Sequence, residues 1–411
     1  VRKIEHDPFK ANFDSLEEFA DRISEVLHCP ITIEDANHRL IAYSTHDERT
    51  DAARVATIIG RRVPEKVINN LWKEGIIPAL LQTNQPVRVR TIDEIGLGDR
   101  VAISIWKDEE VLGFIWAIEI NKRLSPDELD LLKKAAEAVK NKLLQLQIRK
   151  YKKVERSQEF LWKLLTGHIQ SEKEMLESFH QLQITPPSSF SVTVFRFAEE
   201  IGEEAEKQIS YILQTTQRLK VQLYTIDYNN LILLVSLDSI PQPSEDLTSF
   251  VNSFSEKMKE RFGIREISAG FGNIYEACLN IQNSYQEALK VLTIKKMFPY
   301  ETTHIYSYHH LGIYQFLDVI LEKKKADNIR NSSFEKLKIY DQKHHSDLVE
   351  SFETFLDKDM NINETAKALN VHVNTLSYRL KRISEIGDIN LKDYNQKIML
   401  YIDIKIEKGQ L

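Results

Sequence analysis

Between Arg100 and Ile118 apolar residues alternate with the period of a half-buried strand. Val101, Ile103 and Ile105 share one face and, after Lys107-Asp108-Glu109-Glu110, so do Leu112, Phe114, Trp116 and Ile118. That pattern predicts a hairpin. A second is predicted where Ile31-Thr32-Ile33 and Leu40 to Tyr43 flank the turn-rich Asp35-Ala36-Asn37-His38. Helical spacing predicts helices over 16–27 and 64–72, the latter with Pro64 near its first turn, where a missing N–H costs nothing. Ser125-Pro126-Asp127-Glu128 combines an N-cap, an N1 proline and acidic first-turn residues, and starts a long helix reaching about His168. Along it Leu129, Leu132, Ala136, Val139, Leu143 and Leu146 hold a heptad seam until Lys150 and Lys153 fall on it; apolar residues return at Phe160 and Leu164. The seam has two readings, a parallel dimer stalk or a helix packed on its own sheet.

Pro186-Pro187 opens a block with strands predicted over 191–197, 222–226, 231–237 and 266–271 and helices over 203–219, 244–262 and 275–292. This βαββαβ order with a terminal helix fits a ferredoxin-like palm. After Phe298-Pro299 the pattern is helical to the end. The expected fold class is multidomain α+β: a PAS- or GAF-like effector sensor over residues 1–122, a helical dimerisation linker over 123–185, the palm over 186–300 and an all-α domain over 301–411.

The last block carries the most informative motif. A helix over 347–356 precedes Asn361 to Leu369, in which Ile362, Ala366 and Leu369 fall on one face, and a turn follows at Asn370. From Val371 to Ile383 the buried stripe is Leu376, Leu380 and Ile383. Asn374, Thr375, Ser377, Tyr378, Lys381 and Arg382 point more outward, Arg379 lies beside the stripe, and His372 opens the segment as a helix start or phosphate contact; these eight are the candidate DNA-binding residues. A small residue at a helix crossing, a tight turn and a second helix bearing polar and basic side chains form a helix-turn-helix. Asn and Arg suit base edges; Thr, Ser, Tyr and Lys suit phosphates. The bland alternative is a small helical domain with a solvated basic face.

Composition narrows the classes. The 411 residues suffice for two to four domains, and 42% hydrophobic with 28% charged residues is the balance of a soluble globular protein. With 55 Lys and Arg against 61 Asp and Glu, the formal charge is −6, which excludes a polycation that coats nucleic acid but leaves room for a local DNA-reading face. The longest uncharged apolar stretches, 111–118 and 231–237, fall short of the roughly 20 residues of a membrane-spanning helix. The polar first residues show no secretory signal, so a cytoplasmic location without membrane attachment is expected. Cys29 and Cys278 form no CxxC and are expected as buried, reduced thiols.

The run from Glu364-Thr365-Ala366 to Leu369, then His372, Asn374-Thr375-Leu376, Tyr378-Arg379-Leu380, Ile383 and Ile386-Gly387-Asp388, closely resembles the carboxyl-terminal helix-turn-helix of the PucR family of bacterial transcription regulators. That family often has Arg where this chain has Val373, so any contact made by that arginine does not carry over. Ile267 to Gly272, followed by Ser284-Tyr285-Gln286-Glu287-Ala288-Leu289, looks like the family's GGDEF-like domain. Cys29 to Asp35, Leu40 to Ser44 and Gly60-Arg61-Arg62-Val63-Pro64 resemble family members that regulate amino-acid catabolism in Gram-positive bacteria. The resemblance implies a homodimer, a double-stranded DNA operator with dyad symmetry, and activation through RNA polymerase when a small effector, L-proline or another amino acid, is sensed.

An amino acid needs a cation or backbone donors for its carboxylate and apolar walls for its side chain. In the sensor block Arg54 is the candidate for the carboxylate, Asp51 for the amino group, and Tyr43, Ile103, Phe114 and Trp116 for the walls. Each has a structural alternative: the aromatics can be core, and Arg54 can pair with Asp51. Catalysis is not expected. The palm hairpin Ile226-Asp227-Tyr228-Asn229-Asn230-Leu231 lacks the glycine pair and second acid that a nucleotide cyclase needs, and Gly96-Leu97-Gly98 and Gly270-Phe271-Gly272 read as turns or strand ends. His309-His310 and His344-His345 have no third ligand at useful spacing, so neither a metal nor any other cofactor is called for. Two further classes stay open: a scaffold or anti-activator acting by protein contact, and a nucleotide-binding signalling protein without catalysis.

Overall fold

A computed structural model describes residues 8–9, 13, 15–44, 50–120 and 122–409, the side chains of 147–153 aside. The chain divides into two compact units, one running to Ala269 and taking in Ile274–Tyr285, the other formed by Gly270–Asn273 and the residues from Gln286 onward.

The first unit begins with α1 (Leu16–Leu27), β1 (Ile31–Asp35), β2 (Leu40–Tyr43), α2 (Ala52–Gly60), α3 (Glu65–Lys73), α4 (Ile76–Leu80), β3 (Val87–Val89), β4 (Arg100–Lys107) and β5 (Glu110–Ile118). The strands pair antiparallel in the order β2-β1-β5-β4-β3. Both hairpins form where alternation places them. One face of the sheet, with Ile31, Ile33, Val101, Ile103, Ile105 and Ile115, packs on Phe19, Ile23 and Leu27 of α1. The opposite face carries Glu34, Phe114 and Trp116; there Arg54 of α2 donates to the Ile31 carbonyl, and Ser104 of β4 to the Leu80 carbonyl of α4. The register shifts between Ile105 and Trp106, so Leu112 joins the α1 face while Phe114 and Trp116 take the other. The expected shared face for Leu112, Phe114 and Trp116 is thereby corrected, since a bulge resets the alternation. Gly113 is required here, because a Cβ would collide with the Glu34 carbonyl.

A single helix, α5 (Pro126–Leu165), follows. Ser125 caps it: its hydroxyl accepts from the Glu128 N–H at 3.4 Å while the Glu128 carboxylate accepts from the Ser125 N–H at 2.8 Å. Leu132, Ala136, Val139 and Leu143 are buried in the core between α1 and the sheet, and Leu129 packs against that core. Of the two readings of the seam, packing on the chain's own sheet accounts for these residues, since a 3.5-residue stripe states that a helix face is apolar and not what covers it. Leu146 is exposed; Lys150 and Lys153 lie outside the described side chains.

The palm follows α6 (Glu172–Gln181) and consists of β6 (Phe190–Arg196), α7 (Glu203–Thr215), β7 (Lys220–Asp227), β8 (Asn230–Ser236), α8 (Pro243–Phe262), β9 (Ser268–Phe271) and α9 (Ile281–Met297). The sheet order is β7-β8-β6-β9. Leu231 to Val235 are wholly buried, as a central strand covered on both faces requires. Two helix ends differ from the pattern. The helix expected to run to Leu219 stops at Thr215, where Thr216 is extended and the Gln217 N–H bonds the Glu65 carboxylate at 2.8 Å. The helix expected from Tyr275 starts at Ile281, because Tyr275 exchanges both backbone hydrogen bonds with Phe190. Cys29 is buried and Cys278 only half-buried; both are free thiols, and burial pushes the Cys29 thiol up to about 11.

The second unit is helical: α10 (Leu317–Ala326), α11 (Ser332–His344), α12 (Leu348–Asp357), α13 (Ile362–Ala368), α14 (Val373–Gly387) and α15 (Tyr394–Gly409). Its largest described core joins Phe334, Leu337, Phe352, Leu376, Ile383, Leu400 and Ile404.

The Glu128 carboxylate, hydrogen-bonded by Lys122 and by the Ser125 N–H, is held down to about 2. Its folded value lies below its unfolded one, so its contribution is present above the ordinary carboxylate range and is lost as pH falls toward 2. Glu128→Gln should therefore lower the melting temperature at pH 7, with the difference from wild type shrinking as pH falls from the ordinary carboxylate range to 2. Ser125→Ala should cost about 1 kcal/mol, read by denaturant titration.

Candidate nucleic-acid interface

Asn361 caps α13, its side-chain oxygen accepting from the N–H groups of Asn363 (3.0 Å) and Glu364 (3.2 Å). Thr365 and Ala366 are buried where α14 crosses, and small side chains allow that approach. The turn closes through the Val371 N–H on the Ala366 carbonyl at 2.9 Å, with Asn370 at φ 54°, a left-handed conformation that asparagine tolerates. His372 then caps α14, its Nδ1 accepting from the Asn374 N–H at 3.2 Å. Leu376, Leu380 and Ile383 are buried. Gly387 ends the helix against Ile389, where a Cβ would need the isoleucine to move.

This packing sorts the eight candidate residues into two groups. His372, Asn374, Thr375, Ser377, Tyr378 and Lys381 lie exposed on the first two turns of α14. Among the described residues the side chains of Asn374, Thr375, Ser377 and Tyr378 make no internal hydrogen bond, and Tyr378 is 63% exposed. Arg379 and Arg382 instead turn back onto the domain. Arg379 donates to Ser351 Oγ at 2.9 Å and to Asp347 at 3.2 Å. Arg382 donates to Tyr340 Oη (3.1 Å) and Glu385 (2.8 Å), and its guanidinium lies 5.3 Å from the Tyr340 ring centroid. Those hydrogen bonds, Tyr340's first, raise its guanidinium above the ordinary range. Arg379, expected beside the buried stripe, thus braces α14 against α12. Asp347, Ser351 and Tyr340 escaped the sequence reading because each is at least 28 residues from its partner.

Between α12 and α15 a buried ion cluster fixes the scaffold. Lys405, fully buried, reaches Glu353 at 2.6 Å and Asp357 at 3.4 Å, while Lys408 reaches the other Glu353 oxygen at 2.6 Å. Burial opposes the Lys405 charge, but hydrogen bonding and attraction to Glu353 prevail and raise its pKa.

The six effector candidates do not converge. Arg54 is buried, with its guanidinium on the carbonyls of Ile31 (2.8 Å) and Ser44 (2.9 Å). Asp51 caps α2 and also accepts from the Gly98 N–H and the Arg100 guanidinium. Phe114 stacks on His38, and Trp116 donates to Glu34 at 3.0 Å, both on the sheet face opposite Ile103. Tyr43 is half-buried on β2. Of the four candidates on strands, Tyr43, Phe114 and Trp116 share one face of the sheet and Ile103 lies on the other, while Arg54 belongs to α2 and Asp51 to its cap.

At the palm hairpin Tyr228 takes φ 53° in the turn, and Asn229 and Asn230 tie the tip to Phe197 and Arg196. Among the described residues no group of three or more His, Cys, Asp or Glu could hold a metal ion.

A bundle that presents the exposed edge of a second helix in this way is the helix-turn-helix of a transcription regulator. The profile described as the PucR C-terminal helix-turn-helix domain matches residues 348–406, and that of the GGDEF-like domain matches residues 166–294. The chain is 56% identical over 99% of its length, and 96% of the relative's, to the DNA-binding transcriptional activator AdeR of Bacillus subtilis (strain 168). It therefore belongs to the PucR family of transcription regulators. The proline-responsive transcriptional activator PutR of the same organism is 29% identical over 97% of both chains. The same organism's purine catabolism regulatory protein is 26% identical over 43% of this chain and 33% of its own. The GGDEF-like match begins at residue 166 and so takes in α6.

Two substitutions on α14 separate contact from support. Lys381→Ala should weaken binding to all duplex DNA and reduce the salt slope by about 1, with the domain's melting temperature unchanged. Arg379→Ala should lower the melting temperature by removing a hydrogen-bonded charge worth about 1.5–3 kcal/mol. Calorimetry and fluorescence anisotropy across a salt series check both.

Proposed function

We propose that this chain is a ligand-responsive, sequence-specific DNA-binding activator of amino-acid catabolism genes that works as a homodimer. The observation that carries the reading is the exposed edge of α14, where Asn374, Thr375, Ser377, Tyr378 and Lys381 stand clear of the bundle. Asn374 suits a base edge, and the other four suit phosphates. The α14 N-terminus adds N–H groups and a positive dipole end for a phosphate.

A five-stranded antiparallel sheet flanked by helices supports a PAS- or GAF-like sensor at the amino-terminal end. The exposed apolar side chains Leu146 and Trp162 on α5 supply surface for a second copy, which supports a dimerising role for this helix alongside its role in the core. Full-length similarity to a proline-responsive activator supports an amino-acid effector and makes L-proline a member of the test panel, next to other amino acids. As an activator the protein would work with RNA polymerase at the promoter, in the cytoplasm of a bacterium. The palm serves as a structural module without catalysis, in keeping with a hairpin tip that has neither a glycine pair nor a second acid.

Fragmented genomic DNA passed over the full-length protein tests this reading. Retained fragments should share one pseudo-palindromic motif whose half-sites lie about 10–10.5 base pairs apart, or a multiple of that. Retention without any common motif would contradict it and favour action by protein contact.

A further inference from the structure

The Gly60-Arg61-Arg62-Val63-Pro64 segment has no part in the interface described above, yet it forms one wall of a cavity. The cavity measures about 280 Å³ and is bounded on one side by Ala56, Gly60, Arg62 and Pro64 and on the other by Thr216, Gln217, Leu219 and Lys220, between α7 and β7. Both walls belong to the first unit, one from the amino-terminal domain and one from the palm. They are stitched together at its edge: Gln217 donates its side-chain N–H to the Val63 carbonyl at 2.9 Å and its backbone N–H to Glu65, which also pairs with Lys257 of α8.

The lining is chemically divided. Arg62 and Lys220 bring two cations, and among the described residues neither side chain makes a hydrogen bond or ion pair. Arg62 is half-buried, its backbone bridges to that of Arg39, and that neighbouring guanidinium adds repulsion to the cost of burial, pushing the Arg62 pKa down. The nearby Asp35 carboxylate opposes that shift but accepts from the N–H groups of Asn37 and Arg39. An anion would relieve this imbalance. Gly60 is the last residue of α2, so the carbonyl end of that helix, which carries partial negative charge, borders the same space. Ala56, Pro64 and Leu219 supply apolar wall.

We infer that this cavity binds a small α-amino acid, its carboxylate on Arg62 and Lys220, its ammonium at the carbonyl end of α2 and its side chain against Ala56, Pro64 and Leu219. The inference rests on the ligand-responsive reading and gives it a site. A ligand held there touches two domains at once and favours the arrangement that closes the cavity, which is the differential affinity a conformational signal requires.

Thermal melting and calorimetric titration of the full-length protein with glycine, L-alanine, L-proline, L-leucine, L-prolinamide and inorganic phosphate test it. At least one amino acid should raise the melting temperature, while L-prolinamide, which lacks the carboxylate, should not. Arg62→Gln should weaken that amino acid about tenfold or more, the loss expected for one charge-assisted contact. Ala56→Trp, at an exposed position on α2, should fill the cavity and abolish binding with the unliganded melting temperature unchanged. An amino-acid response retained in both variants would overturn the site while leaving a ligand-responsive regulator in place. A response to phosphate alone would overturn the ligand class. Silence of the wild-type protein across the panel would overturn the assignment altogether, and the retention of operator fragments, measured separately, would show whether DNA recognition stands without it.

Discussion

Burial of Leu376, Leu380 and Ile383 is the constraint on which the DNA-facing surface depends. Each such aliphatic side chain contributes about 1.5–3 kcal/mol on leaving water, and the three lie on one stripe of α14, so its rotation about its own axis is fixed. Asn374, Thr375, Ser377, Tyr378 and Lys381 are exposed as a consequence. The braces act in the same direction. Arg379 ties α14 to α12, Arg382 ties it to Tyr340 on α11, and Lys405 with Lys408 ties α12 to α15 through Glu353. Two arginines that would add affinity on a free helix hold the geometry of this one.

The amino-terminal half of the protein follows a related logic. Helix α5 closes the core of the first sheet with Leu132, Ala136, Val139 and Leu143, and farther along Phe160 meets Phe179 of α6 with ring centroids 4.9 Å apart. One continuous helix therefore contributes to two packed regions of the first unit. A second link between those regions is polar. Tyr211 of α7 accepts from Trp72 Nε1 at 2.7 Å and lies 3.1 Å from His38 Nε2, while His38 Nδ1 lies 3.1 Å from the buried Glu34. Burial raises the Tyr211 hydroxyl above its ordinary range, so it remains protonated and able to donate.

Much of this was legible in the sequence, for identifiable reasons. The helix-turn-helix rests on local spacing: a turn at Asn370 and a stripe repeating every three to four residues. Among the palm strands β8 was the most legible, because its run from Leu231 to Val235 is apolar throughout and bounded by turn residues. What the sequence did not disclose depends on partners distant along the chain. The heptad seam on α5 named an apolar face without its cover, Arg379 gave no sign of Asp347 and Ser351, and the bulge at Leu112 turned Phe114 and Trp116 to the face opposite Ile103. The cavity beside Arg62 draws its walls from segments about 150 residues apart, as Gln217 and Val63 illustrate, and no local pattern points to it.

DNA recognition by this protein requires that the first turns of α14 meet the duplex. Amide hydrogen exchange of the full-length protein, alone and bound to its selected operator, measures this most directly. N–H groups in the first turns of a helix open readily near its end, and a partner laid over them slows their exchange. Operator-dependent slowing is expected across residues 373–381, with little change on the first sheet. Slowing confined to other segments, with α14 exchanging as in the free protein, would contradict it.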